Sequence, residues 1–483
     1  MAEHAVAGAL YGVEKVAEGA ILLAKGIYDP TLPLKASFSR ITGAPIPRLS
    51  HSITVIKGNA YVFGGESAPG TGASNDVQVV ALPTSNVQES IDQSSIPAKA
   101  AKDGGDTPAE RVDHTAVSLD DCFFVFGGRS NSSSTEPLDE GGRVWMFNTK
   151  SRDWTWLEPN PASPKPPPRY SHAATLSPQP EPDLPPADHD TAPHLPPDPE
   201  DVLPEPLVPD SRGTIIVCSG RSLAGTLLND CWAFDIRSRT WSPLPPPQDD
   251  PAYACHSSSL ALVGNRLYSC FGRTNQEDML HMRTLDLELN SPLSPPSSKE
   301  EASPNLSPRS ILSAAASDWQ DVSSKSPSTS PSPRSGASLL PVTTGQGRTY
   351  LLAIGGHSTS SSPSAASPLN ASGTEFAAPE ILPHGDVFVY QLPSEGVSAS
   401  GAKDTIRNAL GASSGEGKWA EVKYLDGEGN QIQEGQEGGG IGKRTGIAAA
   451  RASELDGGTV VVWGGLSEHG EVFGDGWLVS VEN

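Results

Sequence analysis

The sequence predicts an all-β chain: six repeats of four short antiparallel strands, closed into a ring. Three observations predict it. The first is a phrase that recurs. "HSITVIKGNAYVFGGE" at His51 to Glu66 reappears as "RVDHTAVSLDDCFFVFGGR" from Arg111, and in both a histidine precedes the second glycine of a pair by fourteen residues (His51 to Gly65, His114 to Gly128). The second is the number of copies. Looser versions begin at Pro167, Ala254, Pro333 and Lys443, making six. The third is the run of chain after each copy: a further strand-like stretch, then in most copies a tryptophan-bearing one. A fixed repeat near fifty residues marks a repeat architecture. Four-stranded blades set radially leave only short, protected edges, so the expected fold is a six-bladed β-propeller.

Residues 1–34 form a lead-in. Val6, Leu10, Val13, Ala17, Ile21 and Ala24 recur at helical spacing, which predicts a helix from Glu3 to Lys25 stopped at Gly26. "KASFSRIT", Lys35 to Thr42, alternates like a strand. The sixth copy ends at Asn483 just after its third strand, so the early strand is expected to pair there and close the ring. Residues 35–483 are then one propeller. Blades start near Arg48, Arg111, Arg169, Ala254, Arg334 and Arg444. Third strands begin near Asn75, Gly142, Asn229, Met282, Gly385 and Gly476; fourth strands near Asp153, Thr240, Ser317 and Lys418, with that of the first blade somewhere after Asn86.

Insertions interrupt this pattern near 178–210, 288–316, 320–332, 358–380 and 395–440, and all are expected to lack regular structure. Pro178 to Asp210 holds nine acids and no Lys or Arg. Its prolines remove backbone donors, and its charge opposes collapse. The others are rich in serine, proline or glycine.

With these residues in view, the chain resembles the kelch-repeat family, in its stand-alone six-bladed form. The resemblance rests on the double glycines 64–65, 127–128, 355–356 and 464–465, and on Trp154, Trp241, Trp319 and Trp419 in the fourth strands. It runs from about residue 36 to the C-terminus. It implies the propeller fold and a surface for binding other proteins, and it implies no chemistry by itself. Two enzymatic branches of kelch propellers exist. The one resembling galactose oxidase needs a copper ligand set that cannot be placed here. The one resembling plant specifier proteins needs acids at a set spacing in one loop. In the nearest acidic loop, Thr135 to Gly142, Glu136 and Asp139 stand three apart and do not match.

Composition sets outer limits. The formal net charge is -23, which disfavours general binding to nucleic acid or anionic membrane. No apolar run is long enough to span a bilayer, and no secretory pattern opens the chain. The cytoplasm or nucleus is the expected location. Five cysteines include no CxxC pair, so no structural zinc is expected. Cys122, Cys218 and Cys270 read as buried thiols. No P-loop, GxSxG elbow or HExxH helix is present, and no cofactor is expected.

Strand direction locates a candidate site. The start of strand one and the end of strand two lie on one face. Arg48, Arg111, Arg169, Arg334 and Arg444 precede first strands; Arg129, Arg221 and Arg273 come just after glycine positions. Arginine offers planar paired donors to carboxylates and phosphates. These eight are the candidate ligand-binding residues at one mouth of the channel, for a protein partner or acidic peptide, or a small anionic molecule. The competing reading makes the first set braces between blades. His51, His114, His172 and His256 read as equivalent positions with local hydrogen-bonding roles. A metal ring is disfavoured because the blades hold them apart. Whether the chain is an enzyme stays open.

Overall fold

The computed structural model describes residues 30–43, 45–83, 92–180, 213–247, 254–290, 311–315, 318–322, 327–345, 347–359, 380–394, 399–410, 414–426, 428–433, 439–452 and 457–483. Six sheets form six blades. The four strands of the first are Ser52–Ile56, Asn59–Phe63, Val77–Ala81 and Gln93–Ile96, each antiparallel to the next. The second repeats this order as Thr115–Leu119, Cys122–Phe126, Val144–Asn148 and Asp153–Leu157, and the third as Ala173–Ser177, Thr214–Cys218, Cys231–Asp235 and Thr240–Leu244. First strands pack against first strands of both neighbouring blades all the way round, so they line the axis.

The core is divided among the blade interfaces. Six apolar clusters each join one blade to the next. Trp154 of blade two packs on Phe63 of blade one, with ring centroids 4.9 Å apart. Trp241 of blade three packs on Phe126 of blade two at 5.1 Å. Trp319 and Trp419 occupy the next two interfaces. A buried tryptophan removes roughly 150–250 Å² from water, on the order of 4–6 kcal/mol each.

The glycine pairs have two different jobs. A Cβ on the first glycine would strike the following blade: on Gly127 it would lie 2.5 Å from the Arg169 carbonyl and 2.8 Å from the His172 ring. Gly64 and Gly464 face His114 and His51 in the same way. In two of the three places where the next blade lacks that histidine the position takes a side chain, while Gly355 stays glycine opposite Ile447. Ser219 and Phe271 stand there, both at φ +62°, and blades four and five offer Ser258 and Ala337 at the histidine register. Phe271 then joins the interface core.

The ring closes as expected. Lys35–Ile41 pairs antiparallel with Gly476–Glu482 over seven residues, from Lys35 opposite Glu482 to Ile41 opposite Gly476. It also pairs in parallel with Lys423–Leu425, the continuation of the chain leaving blade five. Blade six therefore carries six strands, and the closing strand is interior to its sheet.

Some stretches expected to lack regular structure contain it. Strand three of blade four runs on to Asn290, and Ile311–Ala314 pairs with that extension. Gln320–Asp321 pairs with its start, so the fourth strand of blade four comes in two pieces. Residues 395–440 hold a helix, Ala399–Ala409, besides the fourth strand of blade five, Trp419–Glu421. The helix is pinned by Asp404, which accepts from Arg348 at 2.6 Å and Arg407 at 2.9 Å, all three buried. No local pattern announces an anchor 56 residues away. The expected N-terminal helix and residues 181–210 lie outside the described residues.

Cys218 is not a free thiol. It faces Cys231 across strands two and three of blade three, and the two form a disulfide. Cys122, Cys255 and Cys270 are buried and free.

Candidate functional site

First strands enter the axis through residues in the left-handed region: Ser50, Asp113, Ser171, Ser257, Gly336 and Gly446, with φ between 50° and 66°. Their main chains bond to one another around the axis. Asp113 N donates to Ser50 O (3.0 Å), Ser171 N to Asp113 O (2.8 Å), Ser257 N to Ser171 O (2.7 Å), Gly336 N to Ser257 O (2.8 Å) and Ser50 N to Gly446 O (3.0 Å). This series of bonds, open between Gly336 and Gly446, borders a cavity of about 340 Å³ lined by the starts of all six first strands. The sequence signal was present, as a small polar residue or glycine two places after each leading arginine, but it reads as ordinary turn chemistry.

The arginines ahead of the first strands are mostly turned inward. Arg111 gives Nη1 and Nη2 to Glu140 at 3.0 and 2.8 Å and also bonds the Gly127 carbonyl. Arg169 does the same with Asp230, at 2.7 Å twice, and with Ser219 O. Arg334 holds Asp386 and Gly355 O; Arg444 holds Asp475 and Gly464 O. All four are buried. The acid also accepts an indole N–H from Trp145, Trp232 or Trp477 in three of these blades. Arg111, Arg169, Arg334 and Arg444, expected at a ligand-binding mouth, are bonded within their own blades. A buried guanidinium whose donors are already bonded to its own blade has no surface to offer. Arg48 differs: it donates to Pro47 O at 2.8 Å, and no ion pair forms on it among the described residues.

None of the second set lines that cavity, but Arg129 reaches the lining residue Asp113 and Arg221 reaches Ser257 through His256. Arg129 pairs with Asp113 at 2.6 Å and stacks on Tyr170 at 4.6 Å. Arg273 pairs with Asp278 at 3.0 Å. Arg221 is half-buried and forms no ion pair among the described residues; its side chain donates to Gly225 O and to His256 Nε2, the latter at 2.8 Å. Arginine can only donate, so His256 Nε2 accepts and Nδ1 carries the proton. Nδ1 lies 3.0 Å from Ser257 Oγ, which therefore accepts and keeps its own O–H free to donate at the mouth. Burial, then Arg221, pulls the His256 pKa down to about 3, so the relay runs through a neutral ring.

The histidines are not one set. His51, His114 and His172 share a register, but His256 stands two places earlier: it bridges Arg273 as Leu49 bridges Glu66. His114 Nε2 meets Ser52 Oγ of the preceding blade at 2.9 Å, and His172 Nε2 meets Thr115 Oγ1 at 2.7 Å. Blade six presents Ala448 at that register, and neither nitrogen of His51 has a hydrogen-bond partner among the described residues. Burial holds all three pKa values far below the ordinary imidazole value. Among the described residues no group of three or more His, Cys, Asp or Glu is placed to share a metal ion.

The comparisons agree with the repeat pattern. Residues 37–179 match the family model of the KLHDC2/KLHL20/DRC7 Kelch-repeats domain. The chain is a kelch-repeat propeller. The kelch propeller is 26% identical over 233 residues to an F-box/kelch-repeat protein of Arabidopsis thaliana, covering 46% of this chain and 40% of the relative. It is 27% identical over 130 residues to tip elongation aberrant protein 1 of Schizosaccharomyces pombe, covering 26% of this chain and 10% of the relative. It is 31% identical over 132 residues to an N-(sulfonatooxy)prop-2-enimidothioate sulfolyase of Thlaspi arvense, covering 27% of this chain and 33% of the relative. The chain spans less than half the length of each of these relatives.

Proposed function

We propose that the kelch propeller is a protein-interaction module whose mouth receives an acidic peptide segment of a partner, with Arg221 as the principal contact. The observation that carries this is the state of Arg221. It is the rim arginine that has no carboxylate partner among the described residues, and it stands beside a serine hydroxyl left free to donate. A half-buried guanidinium without a counter-ion favours an incoming carboxylate, through a charge-assisted and geometrically paired contact. Arg129 and Arg273 flank it, each held by a carboxylate of its own blade, and shape the rim. The same proposal places the chain in the cytoplasm or nucleus.

The alternative of a small-molecule or lyase-like enzyme has no support in the site's residues. The sulfolyase likeness is partial in length, and no metal-ligating group is found among the described residues.

The test measures binding of fluorescent acidic peptides by anisotropy, using folded wild-type and Arg221→Ala chains. The expected result is saturable binding that weakens by roughly 10- to 100-fold in the variant. Equal affinity of the two chains, or equal binding of neutral versions of the peptides, refutes the reading.

A further inference from the structure

We propose that Cys218 and Cys231 form a reversible redox couple whose state sets the position of the Arg221 loop. The two cysteines are direct cross-strand partners at the last rung of strands two and three. Ser219 N donates to Asp230 O on the next rung, so the cysteines occupy a non-hydrogen-bonded pair, where side chains stand closest. Other blades fill this rung with apolar pairs: Phe63 with Val77, Ile354 with Val387, Trp463 with Gly476. Blade three alone, among the described pairs, places two cysteines there.

The rung is tightly enclosed. Both cysteines are buried, packed with Ile216, Ala233, Leu244 and Leu260. A disulfide holds two sulfurs about 2 Å apart, whereas two thiols in van der Waals contact need roughly 3.5–4 Å. Reduction therefore requires more than an ångström of new space in a filled interior. Toward the mouth the strands leave the sheet at once: Ser219, Gly220 and Arg221 on one side, Asp230 and Asn229 on the other. That end can open. It carries the rim arginine, the Ser219 carbonyl bonded to Arg169, and Asp230, which holds both Arg169 and Trp232.

The chemistry balances with a small disulfide as oxidant. Each thiol loses a hydrogen, the S–S bond forms, and the oxidant is cleaved to two thiols. A dithiol reductant drives the reverse. Because both sulfurs are buried, exchange proceeds through opening of this same strand end.

The consequence for ligand affinity rests on the function proposed above; the couple itself does not. The experiment equilibrates the full chain in oxidised or reduced dithiothreitol and tracks two readouts. Alkylation and intact mass count the thiols, with two more expected in reduced chain that remains folded. Amide hydrogen exchange is compared across residues 219–230 and the matching loop 128–143 of blade two. Exchange in 219–230 is expected to rise roughly tenfold on reduction with blade two unchanged, and Cys218→Ala/Cys231→Ala should be insensitive to redox state. No disulfide under oxidation, reduction only with global unfolding, or identical exchange in both states overturns the proposal. If exchange responds but acidic peptides bind neither form, the couple stands and the mouth reading fails.

Discussion

Glu140→Ala isolates the inter-strand brace where its geometry is fullest. Glu140 takes two hydrogen bonds from the buried Arg111 and one from the Trp145 indole, at 2.7 to 3.0 Å. Removing the carboxylate strands a guanidinium that has no access to water. Breaking one side of a buried ion pair costs about 3–5 kcal/mol, consistent with two charge-assisted bonds at about 1.5–3 kcal/mol each. Glu140 is partly exposed, so the lower half of that range is expected. Removing both charges together is different, because no unpaired ion remains. Arg111→Met/Glu140→Leu should fall within about 2 kcal/mol of wild type. Urea unfolding monitored by tryptophan fluorescence and circular dichroism measures all three chains. A Glu140→Ala loss below about 1 kcal/mol, or a double variant as unstable as the single, would refute the brace.

Further outcomes are expected elsewhere. Gly127→Ala combines φ +63° with a Cβ 2.5 Å from the Arg169 carbonyl. It should lower unfolding free energy by about 3 kcal/mol or more, and a loss under about 1 kcal/mol contradicts the packing. Ala448→Ser supplies the hydroxyl missing opposite His51 and should stabilise by about 0.5–1 kcal/mol, with no gain when His51 is already leucine. The buried histidines make stability fall with acid. Their folded pKa values lie below the unfolded value of 6.5, so the unfolded chain binds more protons between the two. Stability is complete above pH 6.5 and declines below it. For His51, with its pKa at about 3, the loss by about pH 5 is about 2 kcal/mol, and His51→Leu should remove that share of the slope in a pH series of unfolding curves.

The sequence made the blades legible because each repeats a short-range signal: alternating strands, paired glycines and a fourth-strand tryptophan. Closure by Lys35–Ile41 was legible too, since the last repeat lacks a strand and a spare one precedes the first. The site was harder to read. Arg111 and Arg48 both precede first strands, yet one is spent on Glu140 and the other has no ion pair among the described residues. Only three-dimensional pairing separates them. Blade four misled in register. Cys255 takes the place of the leading arginine there, so His256 falls where other blades have Leu49 or Val112. The loosened glycine pairs at Ser219 and Phe271 read as decay of the motif. They are instead permitted by Ser258 and Ala337 in the next blade, a relation invisible inside any one repeat.

The five bonds that run around the axis from Gly446 to Gly336 join backbone to backbone, so they are indifferent to which side chain sits at Ser50, Asp113, Ser171, Ser257, Gly336 or Gly446. Those six positions can change their chemistry without loosening the scaffold. The vocabulary is short, because left-handed φ excludes β-branched residues and favours glycine, asparagine, aspartate and serine-sized groups. The opening of the channel is thus a rigid frame with exchangeable small polar facets. A ligand settling on it finds its groups already in place and spends little conformational entropy on ordering them.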